Sequence, residues 1–536
     1  MKKNSLGRRK FLGLSAIATA TAMGGTTFTL SSCSKEDDLK ANPYETEALV
    51  IGSGFGGSVA ALRLGEAGIK TTMLEMGKFY DSTVSNKAFS PAFFPDTRAT
   101  WLKTGTFEMP LGPDFPLSGN KFVGVLDRNK ASANGDMDIY RGTCLGGGSV
   151  VYGGMLPKPR VELWSKHFPD IEYSEMEAKW YPKVHSMIDI STVPENILNS
   201  EFYQYSRVGL EHCENAGMEK VMLPCGFDFG IVNEELSGQI SKSVLNSEMI
   251  FGVNSGCKNS LDKNYIPAAI GTGNVTVETL HRVESVRKLS DKYAVEVAQI
   301  DESGNAIKYK TYTCKYLFVN AGVVGTMNIL LKAKYDGGLA NLNEHVGQAW
   351  GNNGNTMAMR SNLNDDTGGK QGAIPVSGYG DLNNPVAPLL AEQAPFPLGL
   401  ELKSLLMLAI VDNPERGYWQ YNPQKQKAEL IWNKEQHQLS IDAMKNFVAR
   451  LNAANGGEIN TLLVKNNGYT SNFTYHPLGG AVRNLASDAY GRLHGYDNLY
   501  CIDGSMMPGF SCCANPALTI AALAERSMEK IIAEDF

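Results

Sequence analysis

Ala48 to Gly57 reads ALVIGSGFGG, four apolar residues running into a glycine-rich turn. So short an unbroken apolar run fits a strand buried on both faces of a parallel sheet. Gly52, Gly54 and Gly57 have the spacing GxGxxG, with Phe55 inside it. The first glycine permits the tight turn, and the second lets a pyrophosphate approach the backbone. The third lets the following helix pack closely on the strand. SVAALRLGEAG continues as a helix and KTTMLEMG as a second strand, which predicts a βαβ unit. Glu75 ends that strand, at the spacing where a carboxylate accepts hydrogen bonds from a ribose. A lone glycine fingerprint is weak; with strand, helix and Glu75 in place it predicts a bound dinucleotide.

Downstream, residues 80–135 are rich in Pro, Phe and Gly and show little periodicity. Tyr140 to Met155 reads YRGTCLGGGSVVYGGM, whose glycines, Gly148 among them, imply backbone pressed against a ligand. VTVETL, RVESVRKL, YAVEVAQI and KYLFVNAG alternate between residues 270 and 325. They predict an antiparallel ribbon that returns to the main sheet, with Ala321-Gly322 adding a turn near the ligand. Residues 346–475 carry no dinucleotide signature and are expected to face the substrate. Near the C-terminus come TYHPLGG with His476, CIDGS with Asp503, and Asn515 before Pro516. Imidazole titrates near working pH, so His476 is a candidate base or hydrogen-bond anchor. Proline suits a first helical position and asparagine the cap before it.

At 536 residues, 43% hydrophobic and 20% charged, the chain has the composition of a globular protein of about two domains. Its formal net charge of −6 argues against binding nucleic acid through a basic face. The first 32 residues stand apart, with five basic residues and no acidic one. GRRKFLGLSAIATATAMGG resembles a twin-arginine export signal, which carries folded proteins. Leu30-Ser31-Ser32-Cys33 resembles a bacterial lipobox, in which Cys33 is lipidated and anchors the chain to a membrane. The acidic run that follows resembles a signal for the outer cell surface. Residues 33–46 read as a tether. The eight later cysteines form no CxxC pair and no zinc-like cluster, so no metal site is predicted.

IGSGFGGSVAALRLGEAG, RGTCLGGGSVVYGGM, NSLDKNYIPAAIGTG, NLNEHVGQAWGNNGN, YHPLGGAV and NPALTIAALAER together resemble the glucose-methanol-choline (GMC) oxidoreductases. Within that family they look most like the bacterial cholesterol oxidases that hold FAD non-covalently. The resemblance implies an α/β fold of mixed α+β character. A Rossmann-like FAD domain (47–82, 136–160, 250–345, 476–536) would stand beside a substrate domain (83–135, 161–249, 346–475) with a large sheet packed by helices. It implies oxidation of a sterol 3β-hydroxyl, with oxygen reduced to peroxide, and then a shift of the ring double bond to the 4-en-3-one. Alternatives kept open are a dehydrogenase of another alcohol with another electron acceptor, and a sterol-binding surface lipoprotein without turnover.

Residue by residue, the resemblance makes His476 the active-site histidine and turns the Asn515 side chain to the reaction centre. The helix after Pro516 would point its N-terminus at the flavin and stabilise negative charge there. Glu392, in LLAEQAPFPLGLE, matches the isomerisation base, with Glu401 its competitor in the same segment. Tyr152, Gly153 and Met155 match positions lining the flavin ring, Val283 a backbone contact to adenine, and Asp503 and Gly504 the turn beside the ribityl chain. Tyr152 stands where the family usually has Asn, and Leu390 where it has Phe. Thr474 and Ala481 replace cysteines around the histidine motif. The changes at Tyr152 and Leu390 put oxygen reactivity and substrate fit in question more than the fold.

Overall fold

The computed structural model describes residues 44–536, apart from 84–85, 93–94, 103–104, 108–114, 118–121, 397–400 and 465. The export signal and Cys33 lie outside the described residues.

The expected βαβ unit is present as β1 (Ala48–Ile51), α1 (Phe55–Glu66) and β2 (Thr71–Leu74). β1 and β2 run parallel, Ala48 opposite Thr71 and Ile51 opposite Leu74. β3 (Val275–Glu278) extends the sheet beyond β2, and β4 (Tyr316–Val319) pairs with the other edge of β1. The strand Leu499–Tyr500 pairs with β4 and completes a five-stranded parallel sheet. Successive residues of β1 feed two cores. Ala48 and Val50 pack on one side with α1, while Leu49 and Ile51 pack on the other with α2 (Gly322–Tyr335). That two-sided burial is why β1 is unbroken apolar sequence.

Two expectations change here. The alternation placed VTVETL in the antiparallel ribbon, but Val275–Glu278 is β3 of the parallel sheet. The ribbon is built from His281–Lys288, Tyr293–Ile300 and Ala306–Cys314. Alternation reports a strand with two unlike faces and says nothing of its neighbour. Residues 126–130, read as aperiodic, form a strand antiparallel to Asp138–Gly142, which leads into the glycine loop. Their sequence, LDRNK, is too polar for a period to register.

A second, antiparallel sheet holds β5 (Asn355–Ser361), β6 (Leu389–Ala394) and β7 (Leu405–Val411), with β7 between the other two. Ser377–Asp381 and Glu219–Met222 widen it beyond β6. One face, with Ala358, Ala391 and Ala409, is covered by the helix Gln438–Asn455. The other carries Asn355 on β5 and Glu392 on β6, and packs Met357, Met359 and Leu408 near Phe473 and Tyr475. The C-terminal helix α3 (Ala517–Asp535) packs on α1 and brings the Ser511–Asn515 turn to the same place.

Candidate active site

The glycine turn is as tight as its spacing implies. Gly52 has φ +95°, and a Cβ there would lie 2.3 Å from the Asn320 carbonyl oxygen. A Cβ on Gly57 would lie 2.0 Å from the Gly52 oxygen, so this glycine sets how closely α1 approaches β1. Around Gly54 nothing lies within 4 Å of a Cβ position, and α1 begins with no side-chain cap. The first N–H groups of α1 therefore face an open cradle, the arrangement that receives a phosphate. The second glycine loop lies directly on this turn. A Cβ on Gly147 would lie 3.0 Å from Gly54 Cα, and Gly146 N–H donates to Ser53 Oγ at 3.0 Å. Gly148 is open like Gly54, and the Phe55 ring meets Tyr152 edge-on at 6.0 Å.

Glu75 accepts hydrogen bonds from Ser53 N (3.1 Å), Ser53 Oγ (2.6 Å) and Gly77 N (2.8 Å). Burial raises its carboxyl against those bonds. On the far side of the cradle Asp503 accepts from Ser505 N (2.8 Å) and Thr326 Oγ1 (2.7 Å), and Gly504 opens a short turn. Asn320 Nδ2 and Ser505 Oγ are buried there without a partner. An open helix N-terminus, a ribose-spaced carboxylate and orphaned polar atoms around one cradle fit an FAD.

His476 is half-buried, and desolvation of its ring pulls the imidazole down to about 3, so the ring is neutral at working pH. Its Nδ1 accepts from Asn355 Nδ2 at 3.0 Å. The orientation of Asn355 is fixed in turn, because its oxygen accepts the Tyr475 N–H (3.2 Å). The ring proton is therefore on Nε2. Asn515 Nδ2 stands 3.4 Å from Nε2, while Asn515 Oδ1 is buried with no partner. Glu392, 1% exposed, faces the Asn515 side chain, and burial pushes it up to about 8 against that contact. Glu401 is exposed and binds Thr367 N and Oγ1, so of the two candidates Glu392 is the one in the site.

GMC oxidoreductase family models match residues 46–349, 353–465 and 426–524, the first alone covering more than half of the chain. The chain belongs to the GMC oxidoreductase family. A cholesterol oxidase of Acinetobacter baumannii is 23% identical over 92% of this chain and 96% of its own length. One from Mycobacterium tuberculosis is 25% identical over 90% of each. Among solved structures, a formate oxidase of Aspergillus oryzae studied for modification of its FAD superposes with a TM-score of 0.62. It is 14% identical and covers 92% of this chain and 99% of that one. This GMC oxidoreductase is thus an FAD-dependent enzyme acting on alcohols.

Several site features of this GMC oxidoreductase differ from or exceed the expectation. Asn515 does not cap the following helix. Pro516 is itself the N-cap, its carbonyl accepting Ile520 N–H at 2.8 Å, and α3 begins at Ala517. The Asn515 amide is turned to His476 instead. Val283 sits on the ribbon paired with Val297. Gly153 and Met155 touch, since a Cβ on Gly153 would meet the Met155 sulfur at 2.6 Å. Asn353, Asn355 and Lys258 received no role from sequence. The Lys258 ammonium is buried and donates to the carbonyls of Tyr152 (2.8 Å) and Val150 (2.9 Å), polarising the Tyr152–Gly153 peptide. Burial pulls it down to about 7. Asparagines and lysines are common surface residues, so only the GNNGN repeat carried a signal for any of them.

Proposed function

We propose that this enzyme oxidises the 3β-hydroxyl of a sterol and then isomerises the product to the conjugated 4-en-3-one, with oxygen as the electron acceptor. The observation that carries the reading is the convergence of two donors beside a buried acid. Nε2–H of His476 and the Asn515 amide lie side by side, next to the Glu392 carboxyl. Two donors converging on a gap bind an oxygen whose negative charge grows as the reaction proceeds. With its proton on Nε2, His476 anchors that oxygen, and the hydroxyl proton passes to water as the hydride leaves. The Gly52–Gly57 cradle would hold FAD non-covalently, and the cofactor would supply the hydride-accepting chemistry, with oxygen the proposed final acceptor and hydrogen peroxide the product.

Glu392 then serves the second step. A carboxylate facing the steroid takes a proton from carbon 4 and returns it at carbon 6, and a pKa near 8 makes it basic enough to take that proton and acidic enough to return it. The similarity to cholesterol oxidases supports a sterol as substrate. The N-terminal signal and Cys33 support a location on the cell envelope, lipid-anchored after twin-arginine export. The test is anaerobic flavin absorbance on mixing with a 3β-hydroxysteroid, followed by air. Bleaching, recovery with peroxide and an enone product are expected. Flavin that stays oxidised with every sterol but bleaches with another alcohol overturns the steroid reading and leaves the family chemistry intact.

A further inference from the structure

Asn353 touches both halves of the proposed oxygen-binding pair. Its Oδ1 accepts from Ser511 N (2.9 Å) and Ser511 Oγ (3.0 Å). Its Nδ2 donates to the Ala514 carbonyl (3.1 Å) and approaches His476 Nδ1 at 3.4 Å. One buried amide thus pins both ends of the Ser511–Ala514 turn, immediately before Asn515, and reaches the ring that Asn515 must face.

That turn needs pinning. Cys512 and Cys513 are consecutive non-glycine residues in the left-handed region, at φ +54° and +53°, and Asn353 itself has φ +57°. Side chains other than glycine rarely occupy that region, and they persist there where the surroundings over-determine the backbone. The Ser511 hydroxyl also donates to the Ala514 carbonyl within the turn, and further restraints tie Cys512 and Cys513 to neighbouring segments. Arg160 N–H donates to the Cys512 carbonyl (2.9 Å), and Cys513 Sγ to the Pro388 carbonyl (3.5 Å). On the His476 side Asn353 supplies the hydrogen bonds. We infer that Asn353 is a positioning residue for alcohol oxidation: it holds the strained Ser511–Ala514 turn so that the Asn515 amide and His476 Nε2 converge on one oxygen. The inference rests on the proposed roles of His476 and Asn515.

Two substitutions in the flavin-loaded, full-length enzyme test it. Asn353→Gly keeps the left-handed backbone accessible and deletes the amide. It should bind FAD and alter KM by no more than about twofold, while flavin reduction slows roughly 100-fold, as expected for a misplaced group. Hydrogen exchange across residues 511–515 should quicken in the same variant. Asn353→Asp keeps the acceptor for Ser511 but turns a carboxylate toward the Ala514 carbonyl. Once protonated, that acid donates again, so its reduction rate should climb toward wild type as pH falls; the wild type should show no such rise. Wild-type reduction and exchange in Asn353→Gly overturn the inference, as does an Asn353→Asp variant equally slow at all pH values. His476→Ala separates the two readings. If it reduces flavin normally, the oxygen-binding assignment has failed. If it is inactive while Asn353→Gly is normal, only the clamp has.

Discussion

Desolvation drives both His476 and Glu392 toward their neutral forms, with opposite effects on what each can do. The histidine is held as a hydrogen-bond donor far below its usual range, and the glutamate is held near 8, where it exchanges protons readily. The second case costs stability. Between about 4.5 and 8 the folded enzyme keeps on Glu392 a proton that the unfolded chain has lost, so stability falls as pH rises through that window and levels above it. The full penalty is on the order of 5 kcal/mol. Glu392→Gln should therefore match the wild-type Tm at pH 5 and exceed it by several degrees at pH 9. Isomerisation should drop roughly 100- to 10,000-fold with flavin reduction affected far less. Equal Tm values at pH 9 would remove the raised carboxyl, and undiminished isomerisation would remove its role. Glu392 was legible only through the motif around it, because burial is not written in a residue's type. Asn353 was legible only as part of GNNGN and its role was not, since its partners lie 123 to 161 residues away.

At the scale of elements, the β1–α1 unit was readable because three glycines at fixed spacing answer three separate steric demands. Those demands can be separated experimentally. Gly57→Ala drives a methyl into the Gly52 carbonyl, backbone against backbone, with no flexible side chain to yield. It should destabilise the protein by about 3 kcal/mol or more and cost the sheet its packing. Gly54→Ala meets no protein atom and has φ −71°, which alanine adopts freely. It should melt like wild type yet bind FAD at least about tenfold more weakly, by obstructing the cradle alone. Thermal melts with flavin titration check both, and similar behaviour of the two variants would contradict the division of roles. β3 shows where such reading stops. Its alternating VTVE suits a half-exposed ribbon strand and equally the edge of a parallel sheet, and only the pairing with β2 decides.

For the whole molecule, the site is assembled from both ends of the chain: β1 begins at Ala48, while Leu499–Tyr500 completes the same sheet and α3 packs on α1. The first described residues contribute little to it. Tyr44–Glu45 forms a two-residue strand on the outer edge of the ribbon, with both residues exposed. The exposure of Tyr44 and Glu45 leads us to expect that the proposed anchor at Cys33 can be removed without loss of flavin. A single acyl chain holds weakly, so firm attachment requires the multiple chains of a mature bacterial lipoprotein. Expressed from its full gene, the wild type should sediment with membranes, resist high salt and come off in detergent. Cys33→Ala should appear in the soluble fraction with its flavin spectrum and sterol-dependent bleaching unchanged. Cys33→Ala that still sediments, detergent-soluble as before, would move the anchor elsewhere on the chain. Loss of flavin along with the anchor would mean that the N-terminal segment supports the fold, against the exposed position of Tyr44 and Glu45.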